Sequence, residues 1–244
     1  MSINPGSSAN PRADFMPTRW SLVRAAAGQP MATGTVAALE QLAKAYWQPV
    51  YAFIRRQTAC ASDAEDLTQE FFSRLLEKRF LNTVDPERGK FRSFLLTAVK
   101  HFLSNQRDQA KAHKRGGKVR IISIAYKDGD LDNLPAQDLS PDQAFARQWA
   151  LSVLDQVMAS LQREYQQRGA LPVFEELKAS LAGAQGSEVM TEAAEALGIS
   201  AGATRVAMHR LRRRYREILR HHIAQTVADP AEVDDEIKFL IQSL

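Results

Sequence analysis

Residues 188–224 read EVMTEAAEAL-GIS-AGATRVAMHRLRRRYREILRHHIA: a helix, a three-residue turn and a second helix. Gly198 stands where the first helix must end in a left-handed conformation. Ser200 has the side chain to cap the second helix, but Gly202, read as its third helical position, leaves it without a capping-box partner. Thr204, Met208, Leu211, Tyr215, Ile218 and Leu219 recur every three or four residues and turn inward. Arg205, His209, Arg210 and Arg212 fall on another face, whose first turns are placed to enter a major groove. Arginine reads guanine with two hydrogen bonds, and its neighbours hold phosphates. Arg212, Arg213 and Arg214 are consecutive, so they point around the helix and do not all meet one groove.

Working outward, Ser140-Pro141-Asp142-Gln143 opens an earlier helix. Serine is the cap, proline fills the first helical position and glutamine completes the box. Ala150, Leu154, Val157, Met158, Leu161 and Tyr165 form its buried stripe, and a shorter helix at about Val173–Leu181 is closed by Gly183. Upstream lies a connector, 121–139, with Gly129, Pro135 and scattered aspartates, which marks a domain boundary. The run Val119–Ile124 is the one stretch with a hint of strand.

The N-terminal half is also helical. Residues 1–17 read as a flexible arm and Arg19–Ala27 as a short helix. Val36–Trp47 has helical periodicity through Leu39, Leu42, Ala43 and Tyr46. Pro49 predicts a break or kink, after which Val50, Phe53 and Ile54 continue the stripe. Ser62-Asp63-Ala64-Glu65 predicts a capping box opening a helix that ends near Lys78-Arg79, with Leu67, Phe71 and Leu75 facing a core. Asn82–Lys90 holds Asp85-Pro86 and Gly89 and reads as a loop. Phe91 to about His113 is a long helix stopped by Gly116-Gly117.

Composition bounds the function. Apolar residues make up 45% of the 244, enough for a packed core. One cysteine, Cys60, excludes a disulfide framework or cysteine-based zinc finger and reads as a buried or inert thiol. No apolar run approaches the roughly 18 residues of a membrane span, and Met1–Met16 lacks a signal-like apolar stretch, so the expected compartment is the cytoplasm. Net charge is +4, but Ala98–Arg120 and Arg205–Arg220 together carry +12 and the remainder −8. Two basic islands in a mildly acidic chain are the footprint of a polyanion ligand. His101, His113, His209, His221 and His222 lack metal-ligand spacing, and no phosphate loop, nucleophile elbow or HExxH motif occurs. The expectation is therefore no metal, no cofactor and no catalytic residues.

Asp63-Ala64-Glu65-Asp66-Leu67-Thr68-Gln69-Glu70-Phe71-Phe72 resembles region 2 of bacterial RNA polymerase sigma factors of the extracytoplasmic-function (ECF) group. Gly89-Lys90-Phe91-Arg92-Ser93-Phe94-Leu95, leading into a basic helix, resembles the continuation of that region. Leu197-Gly198-Ile199-Ser200, then Gly202-Ala203 and His209-Arg210-Leu211-Arg212, resembles region 4 of the same family. The resemblance covers about 36–118 and 145–225 and implies an all-α chain of two helical domains. These are a region 2 bundle (18–118) and a region 4 helix-turn-helix domain (140–226), joined by a flexible linker (119–139) and followed by an acidic C-terminal helix (227–244).

It also implies that Asp63, Glu65, Asp66, Gln69 and Glu70 face core RNA polymerase. Lys100, Asn105, Gln106, Arg107, Lys111, Lys114 and Arg115 would read and melt a −10-like promoter element. Ser200, Arg205, His209, Arg210 and Arg212 would read a −35-like element. Phe91 and Phe94 have a base-stacking reading and a core-packing reading, of which helical spacing favours the second. Ser104-Asn105-Gln106-Arg107-Asp108 departs from a common arginine-rich pattern, and Ala207 stands where a basic residue is common. Implied partners are core RNA polymerase and promoter DNA, with room for an anti-sigma factor or other regulator and no membrane.

Two other classes remain at this point. A stand-alone helix-turn-helix regulator accounts for 188–224 but leaves the acidic helix at 62–79 without purpose. A helical protein-interaction module accounts for neither basic island. The tail past Asp229 is acidic and has Val233, Ile237, Leu240, Ile241 and Leu244 at helical spacing, which leaves two readings: a helix that packs on region 4 or the linker and modulates DNA access, or one that only completes the core.

Overall fold

A computed structural model describes residues 33–76, 90–115, 139–182 and 187–244. Among them lie eight α-helices and no strand. They are α1 (Thr33–Arg55), α2 (Ala61–Leu76), α3 (Phe91–Arg115), α4 (Pro141–Gln167), α5 (Leu171–Leu177), α6 (Ser187–Leu197), α7 (Ala201–Ala224) and α8 (Val233–Gln242). Short 3₁₀ turns at Lys178–Ala182 and Pro230–Glu232 follow α5 and precede α8. The expected arm, the helix at Arg19–Ala27, the loop 82–89, the stop at Gly116-Gly117, the Val119–Ile124 run, the linker to 138 and Gly183 all lie outside the described residues.

Helix α1 runs unbroken through Pro49, contrary to the expected interruption. Proline removes one intrahelical bond, but Tyr46, Val50, Phe53 and Ile54 all bury on the same side, which outweighs that loss. The capping box expected at Ser62 is not formed. The helix starts two residues earlier, at Ala61 rather than Asp63, and Cys60 occupies the cap: its Sγ accepts from the Asp63 amide at 3.4 Å. Cys60 is exposed, not buried. An aromatic core ties α1, α2 and α3 together: Trp47 stacks on Phe72, Phe71 meets Phe102 edge-on, and Tyr46 meets Phe91. Phe91 is fully buried and Phe94 half-buried against this core, so both serve packing.

Helix α4 begins as its sequence dictates. Ser140 Oγ accepts from the Gln143 amide at 3.2 Å, and Gln143 Oε1 accepts from the Ser140 amide at 2.9 Å. Its buried residues are Ala144, Phe145, Trp149, Ala150, Val153, Val157 and Leu161, a wider face than the expected stripe. Leu154, Met158 and Tyr165 are only half-buried. The α6–α7 turn is a Schellman motif. Gly198 has φ +63°, Ile199 N–H donates to Ala194 O and Gly198 N–H donates to Glu195 O. Ser200 caps α7 by accepting from the Ala203 amide at 3.2 Å. Ala203, not Gly202, is thus the third helical residue.

The two glycines flanking this cap predict opposite outcomes. Gly198→Ala forces a side chain into the left-handed region and is expected to destabilise by about 1–2 kcal/mol. A Cβ on Gly202 meets only Ser200 Oγ, at 3.9 Å, so Gly202→Ala is expected to stabilise by about 0.5 kcal/mol. Urea unfolding of the two variants checks the pair.

Candidate nucleic-acid interface

Three groups of polar residues survive on the surface once the core is assigned. The first is the solvent face of α2. Glu65, Asp66 and Gln69 are exposed and Asp63 and Glu70 half-exposed. Glu70 accepts from Arg74 at 2.5 Å, one turn away. No described residue forms an ion pair with Asp63, Glu65 or Asp66. Dipole-favoured charge explains Asp63 in the first turn. It does not explain Asp66 and Glu70 further along.

The second group lies on α3. Asn105 and Arg107 are exposed and Gln106 half-exposed. Arg107 donates to Gln57 at 2.7 Å, and Lys100 pairs with Asp142 of α4 at 2.7 Å. Lys111, Lys114 and Arg115 lie on the last turns of α3, but their side chains fall outside the described residues.

The third group is α7, where the structure divides the arginines by role. Arg205, His209 and Arg210 are exposed, and no described residue hydrogen-bonds or ion-pairs with them. Thr204, Met208 and Leu211 bury the opposite side of the same turns. Arg212 is half-buried and donates to the Ser180 carbonyl at 3.1 Å, so its guanidinium braces the 3₁₀ turn after α5. Ser200 acts as cap. Arg214 makes two contacts to Glu164 of α4, at 2.8 and 3.1 Å, and a third to Glu217. Hydrogen bonding to Glu164 raises its pKa. The hydrogen bonds from Arg213, then Arg214, hold the Glu217 carboxyl below the usual carboxylate range. These neutralised arginines were indistinguishable from the others in the sequence, since their partners Ser180 and Glu164 are 32 and 50 residues away. Val206, exposed among the unpaired cations, went unremarked in the sequence, where it reads as one more apolar helix residue. Among the described residues no cluster of side chains suits a metal ion, and no helix is long and apolar enough to cross a membrane.

Residues 42–112 match the family described as sigma-70 region 2. Over 198 residues the chain is 28% identical to the ECF RNA polymerase sigma factor SigE of Mycolicibacterium smegmatis, covering 80% of this chain and 68% of that protein. Residues 42–112 thus carry a sigma-70 region 2 domain, and the chain as a whole is similar to an ECF sigma factor. No solved structure matches it. The identity to SigE extends well beyond region 2, because 198 aligned residues far exceed the span 42–112. The helix-turn-helix lies outside the residues that match region 2, and the Schellman turn and the Ser200 cap define it.

The division of arginines has a direct test. Arg214→Ala removes the inter-helix partner of the half-buried Glu164 carboxylate, which keeps only Arg168 on its own helix, and is expected to destabilise by about 1 kcal/mol, a value kept low by the exposure of Arg214 and by the remaining pair. Arg205→Ala is expected to stay within about 0.5 kcal/mol of the parent. Equilibrium urea unfolding separates the two; equal losses would contradict the assignment.

Proposed function

We propose that this sigma factor docks on core RNA polymerase and directs promoter recognition, DNA melting and transcription initiation, in the cytoplasm. One observation carries the reading. A single chain displays a carboxylate-rich helix face without described ion partners at Asp63, Glu65 and Asp66, and a separate cationic face at Arg205, His209 and Arg210. The anionic surface of DNA repels exposed carboxylates, whereas a basic protein surface attracts them. A duplex-binding regulator alone would not use the first face, and a protein-interaction module would not use the second.

In this reading the chain forms no bonds itself, since polymerase does the chemistry. Residues 18–118 serve as the region 2 domain, 140–226 as the region 4 domain, and 119–139 as the linker. Asp63, Glu65, Asp66, Gln69 and Glu70 face the polymerase. Asn105, Gln106 and Arg107, with Lys100, Lys111, Lys114 and Arg115, contact the −10-like element. Arg205, His209 and Arg210 contact the −35-like element, Arg210 and Arg205 through base edges or phosphates. Arg212 and Ser200 act there by positioning α7, consistent with the Ser180 contact and the cap. An anti-sigma factor or other regulator is a compatible further partner.

The experiment is co-elution of the full chain with bacterial core polymerase, followed by transcription from a pooled promoter library. Specific initiation is expected. Stable DNA binding without polymerase association would move the protein to the stand-alone class. Reversing charge at Asp66 and Glu70 (Asp66→Lys, Glu70→Lys) is expected to lower polymerase affinity about tenfold or more, while the circular dichroism spectrum stays that of the parent. Arg205→Ala and Arg210→Ala are each expected to weaken binding to the −35-like element by about 1–3 kcal/mol if they read bases. Affinity for duplex should fall by roughly 0.9 log units per log unit of salt for each phosphate neutralised.

A further inference from the structure

Among the described residues four large apolar side chains are exposed: Ile199, Val206, Ile241 and Leu244. Val206 is the one that stands within the cationic face of α7, with 50% of its surface open to solvent. Helical geometry places it at the middle of that face. At about 100° per residue it points some 140–160° away from each of the buried Thr204, Met208 and Leu211. His209 lies about 60° to one side of it and Arg210 about 40° to the other. Both are exposed, and neither hydrogen-bonds or ion-pairs with a described residue. Arg205 is about 100° round, on the flank.

The turn before Val206 is clear of long side chains. Gly202 and Ala203, four and three residues earlier, share its face and are exposed. The fold does not require glycine at 202. Its φ is not left-handed, and a Cβ there would meet only Ser200 Oγ, at 3.9 Å. Glycine within a helix costs stability, and what it offers in return is a backbone that another surface can approach closely. A valine, much shorter than an arginine, touches that surface only when the helix comes close.

We propose that Val206 is a specificity-determining residue, packing on the 5-methyl group of a thymine in the major groove about two base pairs from the base that Arg210 contacts. The proposal rests on the reading of α7 as a promoter-binding helix. A helix about 10–12 Å across fills a major groove about 12 Å wide, so the middle of its exposed face meets base edges and its flanks meet phosphates. Val206 has no donor for a phosphate or for a base acceptor. The apolar group that the groove floor presents is the thymine methyl. Valine set against guanine instead leaves the N7 and O6 acceptors without a partner, so the contact discriminates. Val206 and Arg210 are separated by about 6 Å along the helix, close to two steps of ~3.4 Å, and this fixes the spacing of the two contacts. The surrounding Arg205, His209 and Arg210 carry charge that complements phosphate, which marks the occupant of this face as DNA.

The test changes the DNA as well as the protein. Duplexes are selected from a random library by the full chain with core polymerase. Each thymine of the selected −35-like element is then replaced singly by deoxyuridine, which lacks only the 5-methyl group. At one position the parent is expected to lose about fourfold in affinity, the worth of one buried methyl. Val206→Ser and, independently, Val206→Asn are expected to bind the thymine and uracil duplexes equally at that position, with unchanged affinity for polymerase in the absence of DNA. An element without thymine, or a parent indifferent to every replacement, would overturn the proposal. So would a uracil effect that persists in both variants. Weaker polymerase binding by the variants without DNA would assign Val206 to a protein contact and overturn it too. The same selection by the chain alone separates the underlying reading. A uracil effect that depends on Val206, with no polymerase association, would support the thymine contact and overturn the sigma reading. No enrichment of any duplex, with or without polymerase, would overturn both.

Discussion

Helix α4 is the constraint on which the rest depends. It lies along α1 and also packs on α7, so one 27-residue helix supplies core to both halves of the chain. Trp149, buried near its start, meets Phe239 of α8, while Glu164, near its end, accepts through both carboxylate oxygens from Nε of Arg214 on α7. The buried residues accordingly form one continuous apolar cluster running from Tyr46 to Leu240. A helix buried on several sides needs its end set firmly, and the reciprocal Ser140–Gln143 box, with Pro141 in the first turn, does that locally. Everything that faces solvent, acidic on α2 and basic on α7, is placed by what α4 holds underneath.

Much of this was legible because it is local. The Ser140 box, the Gly198 turn and the Ser200 cap are each decided within a few residues, and the structure shows them as the residues require. The acidic face of α2 and the inward stripe of α7 follow from helical periodicity alone. Where local signals competed, tertiary packing decided. Pro49 has a breaker's chemistry, yet the aligned burial of Tyr46, Val50 and Phe53 carries α1 through it. Ser62 is the better cap by type, but Cys60 takes the position because the helix starts before Ser62.

The illegible part is long-range. Nothing near Glu236 distinguishes it from Asp234 or Asp235, which remain exposed, because its partners Lys90 and Arg92 lie some 144 residues away. The arginines of α7 look alike in sequence, and only the folded chain separates Arg212 and Arg214, committed to Ser180 and Glu164, from Arg205 and Arg210. Tail residues Ile241 and Leu244, expected inside on periodicity, are exposed, since α8 turns Val233, Glu236 and Leu240 to the core instead. A charged residue at helical spacing with apolar ones is thus part of the buried face, a pattern that hydrophobicity alone assigns to solvent.

The chain's surface carries an acidic face on α2 and a basic face on α7, and a continuous core lies beneath both. Hydrogen exchange of the full chain, alone and with core polymerase, tests whether the acidic face is a docking surface. The account predicts slower exchange across 63–70 of α2 when polymerase is present. Unchanged exchange across 63–70 at saturating polymerase would contradict it.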